Sequence, residues 1–296
     1  MTAIDTGVQD LGRRHPEWKP WLAVVQEILR EAANPIWEAL VPARTEPQQS
    51  KVPLLSGARL ALEVRPVRQL VEQLIGTACR SGTAKMTTLK PVLKAELDVA
   101  ALFRASLCQE GKHAKETATV LGADPEAFEA VAALVTVPFL LACNRRWASA
   151  KSVSWMEGYC PVCGAWPAFA EVRGIERGRY FRCGRCSGEW QAHCLFCPYC
   201  GMTDHNELAS LVPEKGGATS VIEACKRCLG YVKTFTKLQG SPAARVILDD
   251  LASVDLDVAA LEQGYKRPQG TGYSLNVTVT DTAEPGADFF DTHDDN

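Results

Sequence analysis

Apolar residues recur at helical spacing through the first half of the chain. Trp21, Val25, Ile28 and Ala32 share one face, and Pro35 opens a short second segment through Leu40. Val67, Leu70, Val71, Leu74 and Ile75 repeat the spacing and predict a helix that stops near Gly76. Leu89, Leu93 and Leu97 begin another that runs towards Leu107. Asp124, Pro125 and Glu126 read as the N-cap, first-turn proline and acidic first turn of a helix carrying Phe128, Val131, Leu134 and Val135. Pro138 should kink or end it. Residues 43–57, rich in Pro, Gln and Ser, predict a loop, and residues 1–152 as a whole predict an all-helical domain.

The texture changes over 153–240. Helical periodicity gives way to short runs of aromatic and β-branched residues at 169–172, 179–182, 219–222 and 231–235, which predict strands. Gly174, Gly178, Gly216 and Gly217 fall where hairpin turns belong. Beyond Pro242, Ile247, Leu251, Val254, Val258 and Leu261 predict one C-terminal helix within 241–267. Asp249, Asp250, Asp255, Asp257 and Glu262 lie between them and read as its solvated face. Residues 268–296 end in Asp281, Glu284, Asp288, Asp291, Asp294 and Asp295 with no intervening Lys or Arg, the composition of an acidic, disordered tail.

Four Cys-x-x-Cys pairs sit among the short strands: Cys160 and Cys163, Cys183 and Cys186, Cys197 and Cys200, Cys225 and Cys228. Two intervening residues let both thiolates of a pair face one ion, and two pairs complete a tetrahedron. Gly164 and Gly201 supply the unusual dihedrals of such a knuckle, and Pro161 and Pro198 set the chain's approach to it. Sequential pairing closes the shortest loops and costs the least chain entropy. It gives two tandem rubredoxin-like or zinc-ribbon modules, 153–196 and 197–240. The predicted fold class is α+β: a helical N-terminal domain, two four-cysteine modules and a C-terminal helix.

Each module has few apolar residues, so a metal ion is the expected source of its stability. Spacing alone does not separate zinc from iron, because an all-sulfur tetrahedron suits either. Cys194 completes a Cys-x-x-Cys-x-x-Cys run, and with four neater pairs present it is expected to be a small buried hydrophobe. Cys79, Cys108 and Cys143 are expected as core fillers and His205 as an exposed loop residue.

Bulk composition narrows the function. At 296 residues and 46 % apolar content the chain can bury a sizeable core. No apolar run reaches the ~20 residues of a membrane span. Arg13 and Arg14 are followed by His15, Pro16 and Glu17 where an export signal needs an apolar stretch. A cytoplasmic protein is expected, and in that compartment twelve cysteines point to metal rather than disulfides.

Thirty-two basic residues face 35 acidic ones, which gives no overall basic field. Between Cys160 and Gly240 there are ten Lys or Arg against seven Asp or Glu. Two zinc-loaded sites would bring that region to about −1 and trivalent iron to about +1, neither the footprint of a phosphate-binding surface. Arg185, Lys226 and Arg227 lie inside the knuckles, placed to offset thiolate charge. A saturated tetrahedron leaves no position for substrate, and no nucleophile–base constellation or phosphate-cradling loop is present, so a non-catalytic protein is expected. A nucleic-acid-binding zinc ribbon and a rubredoxin-like electron carrier remain as alternatives.

One family carries these features in this order. Residues 158–164 (Gly-Tyr-Cys-Pro-Val-Cys-Gly), Cys183 and Cys186 ahead of Glu189-Trp190, Cys194 through Gly201, Glu223-Ala224-Cys225-Lys226, Cys228 with Gly230-Tyr231, and Asp249-Asp250-Leu251-Ala252 resemble the formate dehydrogenase accessory protein FdhE over about residues 15–267. The resemblance implies a cytoplasmic maturation factor acting on the catalytic subunit of a formate dehydrogenase. It also implies iron in the two rubredoxin-like sites.

Overall fold

The computed structural model describes residues 3–44, 48–152, 154–212 and 219–282. Among the described residues nine α-helices fill the first half: α1 (Ala3–Arg14), α2 (Lys19–Glu31), α3 (Ile36–Ala39), α4 (Val64–Ser81), α5 (Ala84–Thr87), α6 (Val99–Cys108), α7 (Gly111–Val120), α8 (Pro125–Ala132) and α9 (Val137–Arg146). The predicted face of α2 is the buried one, with Val25 and Ile28 at the centre of the core. Asp124 caps α8 by accepting the Ala127 N–H at 2.9 Å.

Several boundaries differ from expectation. Helix α4 runs through Gly76 and ends at Gly82, whose φ of +87° supplies the left-handed stop. The run from Leu89 divides into a 3-10 turn (Lys90–Lys94) and α6, because Asp98 starts a new helix by accepting the Ala101 N–H. The helix after Asp124 breaks at 133–136, ahead of Pro138, which sits in the first turn of α9 where its missing N–H costs nothing. By length and composition the 22-residue stretch Pro125–Arg146 is apolar enough to cross a membrane, contrary to the expectation of no such run. Yet 67 % of its apolar window is buried in the core of this fold.

The first half is also not wholly helical. Arg59–Leu62 forms strand β1, with Leu60 and Leu62 turned into the core. Its partner is the last strand, β8 (Thr278–Asp281), in parallel register from Arg59 opposite Thr278 to Leu62 opposite Asp281. The part of the expected tail up to residue 282 is therefore ordered, with Val277 in the core. The alternation of Leu275, Val277 and Val279 with polar residues is the signal for it. The remaining acidic residues, Glu284 onwards, lie outside the described residues, as do Gly216 and Gly217.

Between these halves lies a six-stranded sheet. It contains β2 (Phe169–Arg173), β3 (Gly178–Arg182), β4 (Glu189–Ala192), β5 (Leu208–Leu211), β6 (Ser220–Cys225) and β7 (Tyr231–Lys237) in the order β4-β3-β2-β7-β6-β5. Strands β4 and β5 lie outside the runs that predict strands. Each cysteine module contributes three antiparallel strands, and the two triplets join through parallel pairing of β2 with β7, Phe169 opposite Lys233 and Arg173 opposite Lys237. The modules thus share one sheet.

The predicted C-terminal helix is two, α10 (Val246–Leu251) and α11 (Val254–Glu262), broken where the Ser253 hydroxyl donates to the carbonyls of Asp249 and Asp250. Their acidic residues do not all face solvent. Fully buried Lys233 sits between Asp250 Oδ1 at 2.6 Å and Asp257 Oδ2 at 2.8 Å, and Arg267 bonds the same two carboxylates. Asp249 accepts from Lys237 and Ser241. The acidic stripe therefore clamps the helices to β7, while Asp255 and Glu262 stay exposed.

Candidate metal centres

The four knuckles share one backbone plan. The N–H four residues after the first cysteine donates to that cysteine's carbonyl: Gly164 to Cys160, Ser187 to Cys183, Gly201 to Cys197 and Leu229 to Cys225, all at 2.9–3.0 Å. The residue that turns there has positive φ in every case: Gly164 +69°, Ser187 +56°, Gly201 +72° and Leu229 +58°. Glycine marks this position in two knuckles; in the others Ser187 and Leu229 bear the strain, about 1–2 kcal/mol each, and no residue type announces it.

The turns bring the eight cysteines together in sequential pairing. Cys160, Cys163, Cys183 and Cys186 form one cluster and Cys197, Cys200, Cys225 and Cys228 the other, with the sulfurs of each within 4.8 Å of one another. In the first, Cys160 Sγ lies 3.4 Å from Cys186 Sγ and Cys163 Sγ 3.5 Å from Cys183 Sγ. In the second, the Cys197–Cys228 and Cys200–Cys225 separations are 3.6 and 3.7 Å. Sulfurs about 2.3 Å from a tetrahedral ion lie about 3.8 Å apart, so both cages have room for one ion and little more. Backbone N–H groups of Val162, Arg185, Gly188 and Gly230 point at ligand sulfurs at 3.4 Å, the arrangement that stabilises thiolate. Burial pushes the Cys160 and Cys186 thiols well up, while hydrogen bonds from Cys160, Cys163 and Cys186 pull Cys183 well down. Four buried thiols cannot all ionise unaided; a cation among them removes the conflict.

Surroundings distinguish the two cages. All four cysteines of the first are 0 % exposed and belong to the main hydrophobic core. The loop at 54–55 donates to the carbonyls of Pro161 and Val162, and the Tyr273 N–H donates to Gly164. Arg185 reaches the Ser106 and Leu107 carbonyls at the end of α6 and the Thr136 hydroxyl, so it ties the knuckle to the helices rather than offsetting thiolate charge. Lys226 likewise donates to the Asn206 carbonyl. The second cage rests on a small separate core of Ile222, Ala224, Tyr231, Leu256 and Ala260. Its Cys197 and Cys225 are buried, Cys228 is half-buried and Cys200 is exposed.

Gly158 and two aromatics join the cages. A Cβ at Gly158 would lie 1.9 Å from the Pro198 carbonyl oxygen, so the backbones of the two modules touch there. Trp166 meets Tyr199 edge-on with ring centroids 5.2 Å apart, and the Tyr199 hydroxyl donates to the Tyr231 carbonyl. Cys194 is exposed, not buried as expected, and lines a cavity of about 150 Å³ with Arg179, Cys197, Tyr199 and Cys225. Cys108 and Cys143 are buried and Cys79 is packed against the core, as expected of fillers. His205 is exposed.

A sequence profile for the FdhE C-terminal domain matches residues 193–273, which hold the second cage, its sheet strands and the C-terminal helices. The FdhE homologue of Aquifex aeolicus is 32 % identical over 114 residues, 38 % of this chain and 40 % of that protein. The Pseudomonas aeruginosa homologue is 36 % identical over 114 residues, covering 36 % and 37 % of the two chains. Escherichia coli FdhE is 34 % identical over 111 residues, covering 37 % and 35 %. The matched part thus spans about two fifths or less of these relatives. The crystal structure of the Pseudomonas aeruginosa FdhE protein superposes with a TM-score of 0.60 at 22 % identity, over 92 % of this chain and 94 % of that one, and so shares the fold. The profile match, these relatives and the shared fold agree: residues 193–273 match the FdhE C-terminal domain, and the chain as a whole has the fold of an FdhE protein.

Proposed function

We propose that this chain is a cytoplasmic accessory factor in formate dehydrogenase maturation and docks on the enzyme's catalytic subunit. On this reading each four-cysteine cage, Cys160, Cys163, Cys183 and Cys186 or Cys197, Cys200, Cys225 and Cys228, holds one ion, iron or zinc, and the ions fix the shape of the docking surface. The observation that carries the reading is the match to the FdhE C-terminal domain over 193–273, a segment that contains a complete cage. A non-catalytic role agrees with the saturated tetrahedra, which leave no coordination position for substrate. Arg185 and Lys226 are engaged with backbone carbonyls, which weighs against a phosphate-binding surface. Iron in the cages would add a redox role, and anaerobic metal analysis with a chromophore that bleaches on reduction reports it.

Two measurements test the function. The tagged chain, expressed in its own host under formate-oxidising conditions, should co-purify with the catalytic subunit. Deletion of its gene should abolish formate oxidation while leaving the enzyme's transcript unchanged. A deletion strain with normal formate oxidation would sink the proposal.

A further inference from the structure

We propose that the second four-cysteine cage is an exchange site, whose ion an outside thiolate or chelator can reach and take, while the first cage retains its ion for as long as the fold persists. The proposal rests on the reading that both cages hold metal.

The cages differ in shielding and not in size. Sulfur–sulfur separations are 3.4–3.5 Å in the first and 3.6–3.7 Å in the second, so neither is a strained or open polyhedron. The first is enclosed on every side that the described residues show: helices α6 and α9, the loop at 54–55, the Tyr273 backbone and its own strands. The second is packed on the small core and, through Pro198 and Tyr199, on the first module, and these leave one edge uncovered. There, Cys200 is exposed, Cys228 is half-buried, and a Cβ at Gly201 would meet no atom within 4 Å. Leu229, beside Cys228, is 46 % exposed.

Ligand exchange at a tetrahedral ion requires the incoming group to come within bonding distance before a resident ligand leaves. An enclosed cage forbids that approach and an open edge permits it, because the shell around a site controls access. At the second cage the step balances simply. The incoming thiol gives up its proton and forms a metal–sulfur bond, the bond from the metal to Cys200 Sγ breaks, and Cys200 takes up a proton. No oxidation state changes. Cys200 is the ligand to leave, since it alone of the eight is exposed.

The experiment uses the whole chain loaded with zinc, with Cys194→Ser as the background that removes the other exposed thiol of the module. Metal analysis comes first: fewer than two zinc per chain overturns the two-site reading itself. Release to a chromogenic pyridylazo chelator is then followed. One equivalent should leave at least about tenfold faster than the other, the scale on which outer-shell changes act on metal sites. Alkylation and mass spectrometry after the fast phase should mark Cys197, Cys200, Cys225 and Cys228 and spare the first four. In Cys200→Ser the slow equivalent should keep its rate. Two equivalents leaving with a single rate constant, or early labelling of Cys160, Cys163, Cys183 and Cys186, overturns the proposal with two-site loading intact.

Discussion

Gly158→Ala isolates the contact that couples the two cages. The new Cβ would stand 1.9 Å from the Pro198 carbonyl oxygen, 2.6 Å from its carbon and 2.7 Å from its Cα. These are backbone atoms of a cysteine knuckle, so no rotamer change relieves them. The Gly158 side is held as firmly, since the Trp155 indole donates to the Tyr159 carbonyl and the Trp190 indole to the Glu157 carbonyl. Ordinary contact requires more than an ångström of separation between the modules, against the β2–β7 pairing that joins them. Overpacking costs about 1–3 kcal/mol where side chains can adjust, and a backbone clash belongs at the upper end, about 3 kcal/mol. At roughly 2–4 °C per kcal/mol that lowers Tm by on the order of 6–12 °C. Gly201→Ala is the control: it has open space but a φ of +72°, so only the dihedral cost of about 1 kcal/mol applies. Calorimetry of both metal-loaded variants decides the matter. A Gly158→Ala protein that melts with the wild type, or no lower than Gly201→Ala, refutes the reasoning.

Other positions make separate demands. Burial alone would push the Glu171 carboxyl up, but hydrogen bonds from Ser241 and Arg173 and the charge of Arg182 outweigh it and hold the group at about 2. Its contribution, about 3 kcal/mol, is present above pH 4.5 and lost as pH falls through 2, so the gap between wild type and Glu171→Gln in chemical denaturation should be full at pH 7 and close in acid. A gap that does not change with pH would contradict this. Lys233→Ala removes the buried cation between Asp250 and Asp257, which keep Arg267 as a partner, and should cost about 1–3 kcal/mol, read as faster hydrogen exchange in α10 and α11. Ending the chain at Pro268 removes the β8 partner of β1, the buried Val277 and the Tyr273 bond to the Gly164 carbonyl, and should cost at least about 2 kcal/mol in a denaturant titration, although the deleted segment supplies no ligand to either cage.

The sequence by itself determined which eight cysteines gather into two sets of four. Cys-x-x-Cys spacing is a local constraint: two residues between thiols, with Gly164 and Gly201 at the turn, limit each knuckle to one geometry. Helix existence was equally legible, because periodicity and the Asp124 cap act within a few residues of chain. What lay beyond local reach was decided by tertiary structure. Strand β1 pairs with β8 across more than two hundred residues, and neither strand is long enough to declare its partner. The β2–β7 seam that fuses two apparent modules into one sheet has no spacing signature, since parallel pairing is set by what covers both faces. The acidic stripe of Asp249, Asp250 and Asp257 reads as solvated until a buried Lys233 is set beneath it. Two nearly identical sets of four cysteines differ in accessibility for the same reason: local sequence builds the cage, and only packing against the rest of the chain decides which cage is enclosed.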